Sequence, residues 1–312
     1  MASGRKQSSA GHVAPEAVSF GTISSGTVVI IDKMPKINTG VVPKQIGECL
    51  ADDATVAAVM LTEWGASAGL IGTKIARDEA GRRIVRRLKE LGVRGSFRMT
   101  SKFKSPFSLT LADKAGNRTY FWERPREILE TLDEADLSMI RTAKLLYLDW
   151  YNHPHTLRAI KEAEAFGVPV FFNFEHAHED AHLLSVYGRY VHTVQACTDI
   201  AQVKDDNASE VGERLLNAGA SLVLVTMASR GCLAMSKDEA IRIHAPSLDV
   251  VDSTGAGATF SAGFIFGTLQ GWELEKCVRF AVAAASLKCT TVGLAAFPVS
   301  QIRELADQLR RE

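Results

Sequence analysis

A glycine-rich turn at residues 250–260 is the segment of this chain best suited to chemistry. It reads Val-Val-Asp-Ser-Thr-Gly-Ala-Gly-Ala-Thr-Phe and is followed by an apolar stretch of helical length. Gly255 and Gly257 can adopt backbone angles that other residues avoid, so consecutive N–H groups at a helix N-terminus can converge on an anion, aided by the helix dipole. The turn predicts a phosphate-binding loop, although Gly-Ala-Gly alone would also suit a tight strand-to-helix turn without a ligand.

The elements around this turn alternate between short β-rich runs and amphipathic helical patterns. Strands are predicted at residues 27–31, 145–149, 169–174 and 222–226, and helices at 53–63, 78–91, 155–166, 208–218, 256–270, 273–289 and 299–311. This order predicts an α/β fold with a central, mostly parallel sheet flanked by helices. A ligand crevice is then expected beyond the carboxyl ends of the strands.

One stretch, residues 95–122, breaks the alternation. Its β-rich runs at 107–111 and 119–122 are separated by Lys114-Ala115-Gly116-Asn117, a composition typical of a turn. The segment therefore predicts a β-hairpin outside the α/β pattern.

The composition excludes several classes of protein. The 36 basic and 36 acidic side chains cancel, so neither nucleic acid nor an anionic membrane is favoured as a partner. The five cysteines form no close pair, which suggests neither a disulfide framework nor a zinc site and fits a cytoplasmic location. Residues 1–17 are predicted to be a disordered tail, residues 18–312 a single domain, and no apolar run reaches transmembrane length.

The run from Asp252 to Phe260 resembles the signature of the ribokinase-like, or PfkB, carbohydrate kinases: Asp-Thr-Thr-Gly-Ala-Gly-Asp, a small residue, then Phe. It departs from that signature at Ser253 and Ala258. Residues 64–65, 69–72, 78–81, 116–119, 225–231, 283–288 and 292–298 resemble further family segments in the same order, so the resemblance covers nearly all of the chain after the tail. The C-terminal half is most similar to ketohexokinases.

The resemblance implies a ribokinase-like fold with a small β-sheet lid, from about residues 27–47 and 95–122, that pairs two subunits into a homodimer. It implies ATP-dependent phosphorylation of a sugar or sugar-like alcohol, with Mg²⁺ bridging the phosphates. The anion hole would be formed by Gly255, Ala256 and Gly257. The rest of the nucleotide site would comprise Thr226, Gly231, Thr254 and Lys288.

The acceptor site implied by the resemblance includes Gly26, Asp52, Asp53, Val56 and Asp252. Asp252 and Thr254 would also help hold a monovalent cation such as K⁺. Several positions depart from the family pattern: Gly26 replaces a sugar-binding Asp, Ala51 and Asp52 replace two glycines, and Val56 replaces an Asn. The family's Asn-x-x-Glu falls at residues 197–200 and is absent, as it is in ketohexokinases, and Ala228 replaces a Gly near the adenine.

Ala258 stands where the family has its catalytic base, which contributes roughly 10²- to 10⁴-fold to such reactions. The first hypothesis is a carbohydrate kinase with impaired or altered catalysis, and the second is a non-catalytic, pseudokinase-like protein that binds nucleotide or sugar and acts through a partner. If Ala258 were an engineered replacement of Asp, the other site residues would match the family pattern, whereas several of them depart from it. Asp52 or Asp53 is a further hypothesis for a substitute base.

The histidines of residues 176–182 allow a metal site to be considered, because His178 and His182 are four residues apart. Polar residues after a strand commonly cap and solvate the first turn of a helix, and this interpretation is preferred. The basic face of the helix at 78–91 is interpreted as a solvated surface.

Overall fold

The fold is built from two main β-sheets and helices that cover the larger one. The computed structural model describes residues 14–113, 118–198 and 207–312. The strands in these residues are β1 (Ala17–Gly21), β2 (Ser24–Ile31), β3 (Gln45–Ala51), β4 (Ala68–Gly72), β5 (Ile75–Ala76), β6 (Met99–Thr100), β7 (Ser108–Asp113), β8 (Arg118–Trp122), β9 (Leu145–Asp149), β10 (Val170–Glu175), β11 (Thr193–Cys197), β12 (Leu222–Thr226), β13 (Cys232–Met235) and β14 (Ala240–Ile243). The helices are α1 (Asp53–Glu63), α2 (Glu79–Glu90), α3 (Arg126–Leu129), α4 (Leu157–Ala165), α5 (Ala181–Tyr187), α6 (Ala208–Asn217), α7 (Ala256–Leu269), α8 (Leu274–Lys288) and α9 (Val299–Gln308).

The large sheet has the strand order β14-β13-β12-β11-β10-β9-β1-β4. Its strands from β4 to β12 pair in parallel, whereas β13 pairs antiparallel with both β12 and β14. The prediction of a mostly parallel sheet flanked by helices is therefore confirmed. The carboxyl ends of β1, β9 and β10 lie side by side, because these strands are neighbours in the sheet.

Side chains of successive residues enter different cores, because they alternate between the two faces of a strand. Tyr147 and Phe171 pack with α1, α7, α8 and α9 on one face. Leu148 and Phe172 pack with α4, α5 and α6 on the other. No helix in the described parts of the chain combines the length and apolar character needed to cross a bilayer.

A small sheet with the order β3-β2-β7-β8 lies apart from the large one. Val28, Ile30 and Ala112 on its inner face are buried against Cys49 and Val292. The predicted lid segments overlap this sheet, but residues 95–107 contribute no strand to it, because β6 pairs with β5 instead. The predicted turn at 114–117 lies outside the described residues, as do residues 1–13 of the predicted tail; Ala17 already belongs to β1.

Most predicted helices are found with bounds that differ by one to three residues. The helix predicted at 299–311 ends at Gln308, because Leu309 turns to an extended conformation and Arg311 pairs with Ile243 of β14. The interpretation of the 176–182 histidines as solvated is wrong for His178, which is fully buried. Its Nε2 lies 3.1 Å from the carbonyl of Cys197, and the guanidinium of Arg214 lies 2.7 Å from its Nδ1.

Candidate active site

The phosphate-binding loop predicted from the sequence connects Asp252 to the start of α7 and is named here the anion loop. Gly255 is the N-cap of α7 and has φ +77°, a left-handed conformation that favours glycine. The Ala256 N–H donates to the Ser253 carbonyl at 3.2 Å, whereas the N–H groups of Gly257 and Ala258 have no acceptor among the described residues and are available to an anion. A β-carbon on Gly255 would meet only Val56, at 4.0 Å, and one on Gly257 would meet no described atom closer than 3.8 Å. The loop therefore forms an open cradle that fits a phosphate.

Two buried charged residues fix this loop from behind. The Asp252 carboxylate accepts hydrogen bonds from Thr254 N at 2.8 Å, Gly293 N at 2.9 Å and the Lys288 ammonium at 3.3 Å. Lys288 Nζ also donates to the Asp252 carbonyl at 2.7 Å, and both side chains are fully buried. Burial lowers the pKa of Lys288, and Asp252 opposes that shift.

Both carboxylate oxygens of Asp252 accept hydrogen bonds inside the protein, and its predicted contact with a sugar stays a prediction. The ammonium of Lys288 is likewise turned to Asp252, so it supports the loop from within. Thr254, unlike Asp252 and Lys288, has a side-chain oxygen that is not engaged. Its Oγ1 is buried with no hydrogen-bond partner in the described residues, which leaves it available to a ligand or cation.

Neighbouring elements hold the loop from its other sides. Gln195 of β11 donates from Nε2 to the Gly257 carbonyl at 3.2 Å and accepts from Ser261 Oγ at 2.7 Å. Arg118 of β8 donates to the Ser253 carbonyl at 3.0 Å, so the small sheet contacts the loop directly. Ala258, in the first turn of α7, is buried in the core and brings no proton acceptor.

Four carboxylates gather beside this loop, and they are named here the acidic crevice: Asp52 and Asp53 at the start of α1, Asp149 at the end of β9, and Glu175 at the end of β10. Ser24 Oγ and the Arg124 guanidinium donate to opposite oxygens of Asp52. Asn173 Nδ2 donates to Asp53 at 2.9 Å, and Asn152 Nδ2 donates to Asp149 at 2.6 Å. Arg124 contributes a permanent positive charge to the acidic crevice through its ion pair with Asp52.

Burial and mutual repulsion change the acidity of these groups. Burial, followed by the charges of Glu175, Asp149 and Asp52, raises the pKa of Asp53 well above its usual value. Burial raises the pKa of Asp149 to about 7, although Arg124 opposes the shift. Such displaced carboxyl groups are frequent at sites of proton transfer and ligand binding.

Aromatic side chains complete the crevice. The Arg124 guanidinium lies 4.4 Å from the ring centroid of Tyr151, and one of its nitrogens, Nη1, is buried without a partner in the described residues. Tyr151 donates its hydroxyl proton to Glu175 Oε2. Burial and the charge of Glu175 raise the pKa of Tyr151, so the hydroxyl remains a donor.

The residues predicted for the acceptor and nucleotide sites are only partly brought together. Asp52, Asp53 and Val56 lie on α1 beside the loop. Gly26 lies in β2, where a β-carbon would approach Ser108 Oγ to 3.1 Å. At the other end of the sheet, Thr226 donates to the Ala196 carbonyl at 3.1 Å, and Gly231 has φ +90° with no room for a β-carbon beside Ile243. The roles assigned to these residues stay predictions.

Arg124, Asp149, Tyr151 and Glu175 were not identified from the sequence. Two of them could have been found, because Asp149 is the last residue of a predicted strand and Glu175 follows the next one. The carboxyl ends of parallel strands are where α/β proteins place ligands. Arg124 lies in an irregular segment and Tyr151 in a single 3₁₀ turn, and no pattern in the sequence marks them.

Comparisons with known proteins agree with this fold and identify the family. The sequence pattern of the pfkB family of carbohydrate kinases matches residues 53–301. An uncharacterized sugar kinase of Archaeoglobus fulgidus is 26% identical over 235 residues, which cover 73% of this chain and 93% of the relative. The ATP-dependent 6-phosphofructokinase of Thermoanaerobacterium thermosaccharolyticum is 23% identical over 246 residues, 72% of this chain and 74% of that protein.

Among solved structures, Arabidopsis thaliana ribokinase complexed with ribose and ATP superposes with a TM-score of 0.74 at 19% identity, over 94% of this chain and 99% of that one. A mostly parallel sheet with an anion loop at the start of α7 thus defines a ribokinase-like fold. With the family pattern spanning most of its length, the chain belongs to the pfkB family of carbohydrate kinases, which are phosphotransferases. Membership implies ATP as the phosphoryl donor.

Proposed function

We propose that this protein transfers the γ-phosphoryl group of ATP to a hydroxyl group of an uncharged or cationic sugar-like alcohol. The observation that supports the acceptor class is the acidic crevice, in which four carboxylates face one guanidinium beside the anion loop. With Asp53 and Asp149 protonated, two carboxylates remain against one guanidinium, a formal balance of minus one, and with every group ionised the balance is minus three. Carboxylates accept hydrogen bonds from hydroxyl and ammonium groups, and the unpaired Nη1 of Arg124 can donate to a hydroxyl oxygen of a small polyol.

An anionic acceptor is expected to bind poorly. A like charge about 5 Å from one carboxylate costs about 3 kcal/mol at an effective dielectric constant of about 20, on the order of a hundredfold in affinity. A preference for uncharged or cationic acceptors would distinguish the chain from a relative such as the 6-phosphofructokinase, which by its name acts on a sugar that already bears a phosphate.

The chain's own residues would divide the work between two sites. The first-turn N–H groups of α7 would bind the transferred phosphates, with Asp252 and Lys288 holding the loop in place. Mg²⁺ supplies neutralisation of phosphate charge when it is bound. The unpartnered Thr254 Oγ1 supports a ligand or a monovalent cation such as K⁺ at the loop. Thr226 and Gly231 would flank the nucleotide base.

Turnover by the full chain tests this function. ATP consumption with Mg²⁺ and K⁺ is measured across ketoses, aldoses, nucleosides, amino sugars, sugar phosphates and sugar acids, for the natural sequence and for Ala258→Asp. We expect turnover with a neutral or amine-bearing acceptor, and kcat/KM on the order of a hundredfold lower for anionic analogues of the same sugar.

Preference for a sugar phosphate or a sugar acid would contradict the acceptor class. If neither protein turned over any acceptor while calorimetry still detected nucleotide or sugar binding, the second hypothesis from the sequence, a non-catalytic protein, would replace this one. The family match favours the kinase. The cytoplasmic location stays a prediction.

We further propose a homodimer formed through the small sheet. Side chains that alternate outward on neighbouring strands form one apolar face, whose members are Val29, Ile46, Leu109, Leu111 and Phe121. Ile46 is 61% exposed and Phe121 is 50% exposed, whereas Val28 and Ile30 on the opposite face are buried. A contiguous apolar surface of this kind is commonly covered by a partner.

A further inference from the structure

A carboxylate other than the missing one lies against the anion loop. A β-carbon on Gly257 would be 3.9 Å from Glu175 Oε1, so this oxygen borders the same turn that carries Ala258. Ala258 has only a methyl side chain and is 1% exposed, so it cannot accept a proton. Glu175 is therefore well placed to receive a proton beside a phosphate held by the loop.

The backbone at Glu175 aims its side chain at this position. Glu175 has φ +46° and ψ −120°, a conformation that residues other than glycine rarely adopt. The pairing of β10 with β11 shifts register between Asn173 and Glu175, and Glu175 N donates to Asn173 Oδ1 at 3.1 Å. Residues held in rare backbone conformations cluster at functional sites, where the surrounding structure fixes them.

Tyr151 leaves one oxygen of Glu175 open. The phenol donates to Oε2, while Oε1 has no hydrogen-bond partner among the described residues. Glu175 is partly exposed, so Oε1 is accessible to a ligand in the crevice. One oxygen is thus held in place and the other is available as a proton acceptor.

The two substitute bases considered from the sequence are less well suited. Both oxygens of Asp52 are engaged, one by Ser24 and one by Arg124. Asp53 is bonded to Asn173, and burial together with its acidic neighbours raises its pKa well above the usual value. Asp53 therefore tends to hold a proton already, and a protonated carboxyl cannot act as a base.

We propose that Glu175 is the catalytic base of this kinase and performs the proton transfer that Ala258 cannot. The proposal rests on the function proposed above. The acceptor hydroxyl gives its proton to Glu175 Oε1 as its oxygen forms a bond to the γ-phosphorus. The bond from that phosphorus to the β,γ-bridging oxygen breaks, and ADP leaves with its electron pair. The products are the phosphorylated alcohol, ADP and protonated Glu175, which returns its proton to water.

Other ionisable groups lie around Glu175, so the pH dependence of the reaction need not come from Glu175 alone. These groups are Asp52, Asp53, Asp149, Tyr151, Tyr120, Arg124 and His176. Variants must therefore be compared over a full pH profile and not at one pH.

The test compares the natural protein with Glu175→Gln, Ala258→Asp and the double variant, using the full chain and the best acceptor from the panel. We expect Glu175→Gln to lower kcat roughly 10²- to 10⁴-fold while the nucleotide dissociation constant changes less than about twofold. The natural protein is expected to lose rate as the pH falls, and Glu175→Gln is expected to lack this acidic limb. Adding Ala258→Asp to Glu175→Gln is expected to recover kcat to within about tenfold of the natural protein.

Glu179→Gln is the matched control, because Glu179 is an exposed glutamate four residues further along the same segment, and its kcat is expected to be unchanged. Asp53→Asn tests the rival base: loss of the acidic limb in Asp53→Asn but not in Glu175→Gln would overturn the proposal. So would a kcat of Glu175→Gln that stays within about threefold of the natural value, or a double variant that is not recovered although Ala258→Asp alone is active.

Failure of the two proposals can be told apart. If Ala258→Asp turns over the acceptor and the natural protein does not, the acceptor class stands, but the natural chain is a kinase disabled at residue 258 and Glu175 is not a working base. If no variant turns over any acceptor, the kinase function itself fails, and the role of Glu175 fails with it.

Discussion

Asp149 shows how a single buried carboxyl couples this site to pH. It is 1% exposed, its Oδ1 accepts from Asn152, and a β-carbon on Gly21 would lie only 3.3 Å from its Oδ2. Burial raises its pKa to about 7, whereas in an unfolded chain the value is about 4. Between about pH 4 and pH 7 the folded chain keeps the proton and the unfolded chain does not, so stability contributed by this group is lost as pH rises.

Replacing Asp149 with Asn removes this dependence. The natural protein is expected to lose about 1–3 kcal/mol of its free energy of unfolding between pH 5 and pH 8 relative to Asp149→Asn. The estimate follows because each pKa unit corresponds to about 1.4 kcal/mol. Urea unfolding at both pH values measures the difference. A difference independent of pH would show that Asp149 is ionised throughout.

Unusual backbone conformations could be expected from the sequence where the resemblance to the kinases indicated a position normally held by glycine. Asp52 and Ala228 stand at positions where similar kinases have glycine, and both have positive φ, of 68° and 45°. The unusual residues were thus found from the sequence, but their consequences were not. The contact between Asp52 and Arg124 joins residues 72 positions apart, and no local pattern encodes such a pairing.

At the scale of elements, the site depends on how α7 is held. Gly263 faces α8, and a β-carbon there would lie 2.9 Å from the Cα of Ala281, which is backbone and cannot move aside alone. The glycine allows α7 and α8 to pack closely. Since the anion loop is the start of α7, this packing also fixes the position of the phosphate cradle.

Gly263→Ala is expected to lower the free energy of unfolding by about 1–3 kcal/mol, the usual cost of overpacking a core. Its nucleotide affinity is expected to fall as α7 shifts. Chemical denaturation and calorimetry measure the two effects. Gly40→Ala is the control, because a β-carbon at Gly40 would meet no atom within 4 Å. Equal stability of the two variants would show that the helices can separate without cost.

The elements themselves were largely predictable, because their periodicity is strong. The helix at 53–63 and the strands at 145–149 and 222–226 have the predicted bounds. The structure of residues 95–107 was not predictable, since a two-residue strand such as β6 leaves no periodic pattern. The burial of His178 was also missed, because its contacts with Cys197 and Arg214 are long-range.

For the whole molecule, the exposed apolar face of the small sheet sets the expected assembly. Size-exclusion chromatography with light scattering is expected to show a dimer for the natural protein at micromolar concentration. Phe121→Glu is expected to give a monomer, because it places a charge in the proposed interface. Val42→Glu is the matched control, since Val42 is 85% exposed but lies outside the sheet, and it is expected to remain dimeric. A natural protein that is monomeric at all concentrations would contradict the proposed assembly.

The parallel pairing of β2 with β7 has a consequence for the order of folding. It joins Thr27 to Leu109, with β3, α1, β4 and α2 in the chain between them. Contacts between such distant residues form slowly, because a long loop must close first. The large sheet requires a longer loop to close, because its β1 pairs with β9 from Ala17 to Leu145. All strands of the small sheet precede the anion loop in the chain, so a growing chain can form the small sheet, and the contact of Arg124 with Asp52, before the loop that binds nucleotide has been made.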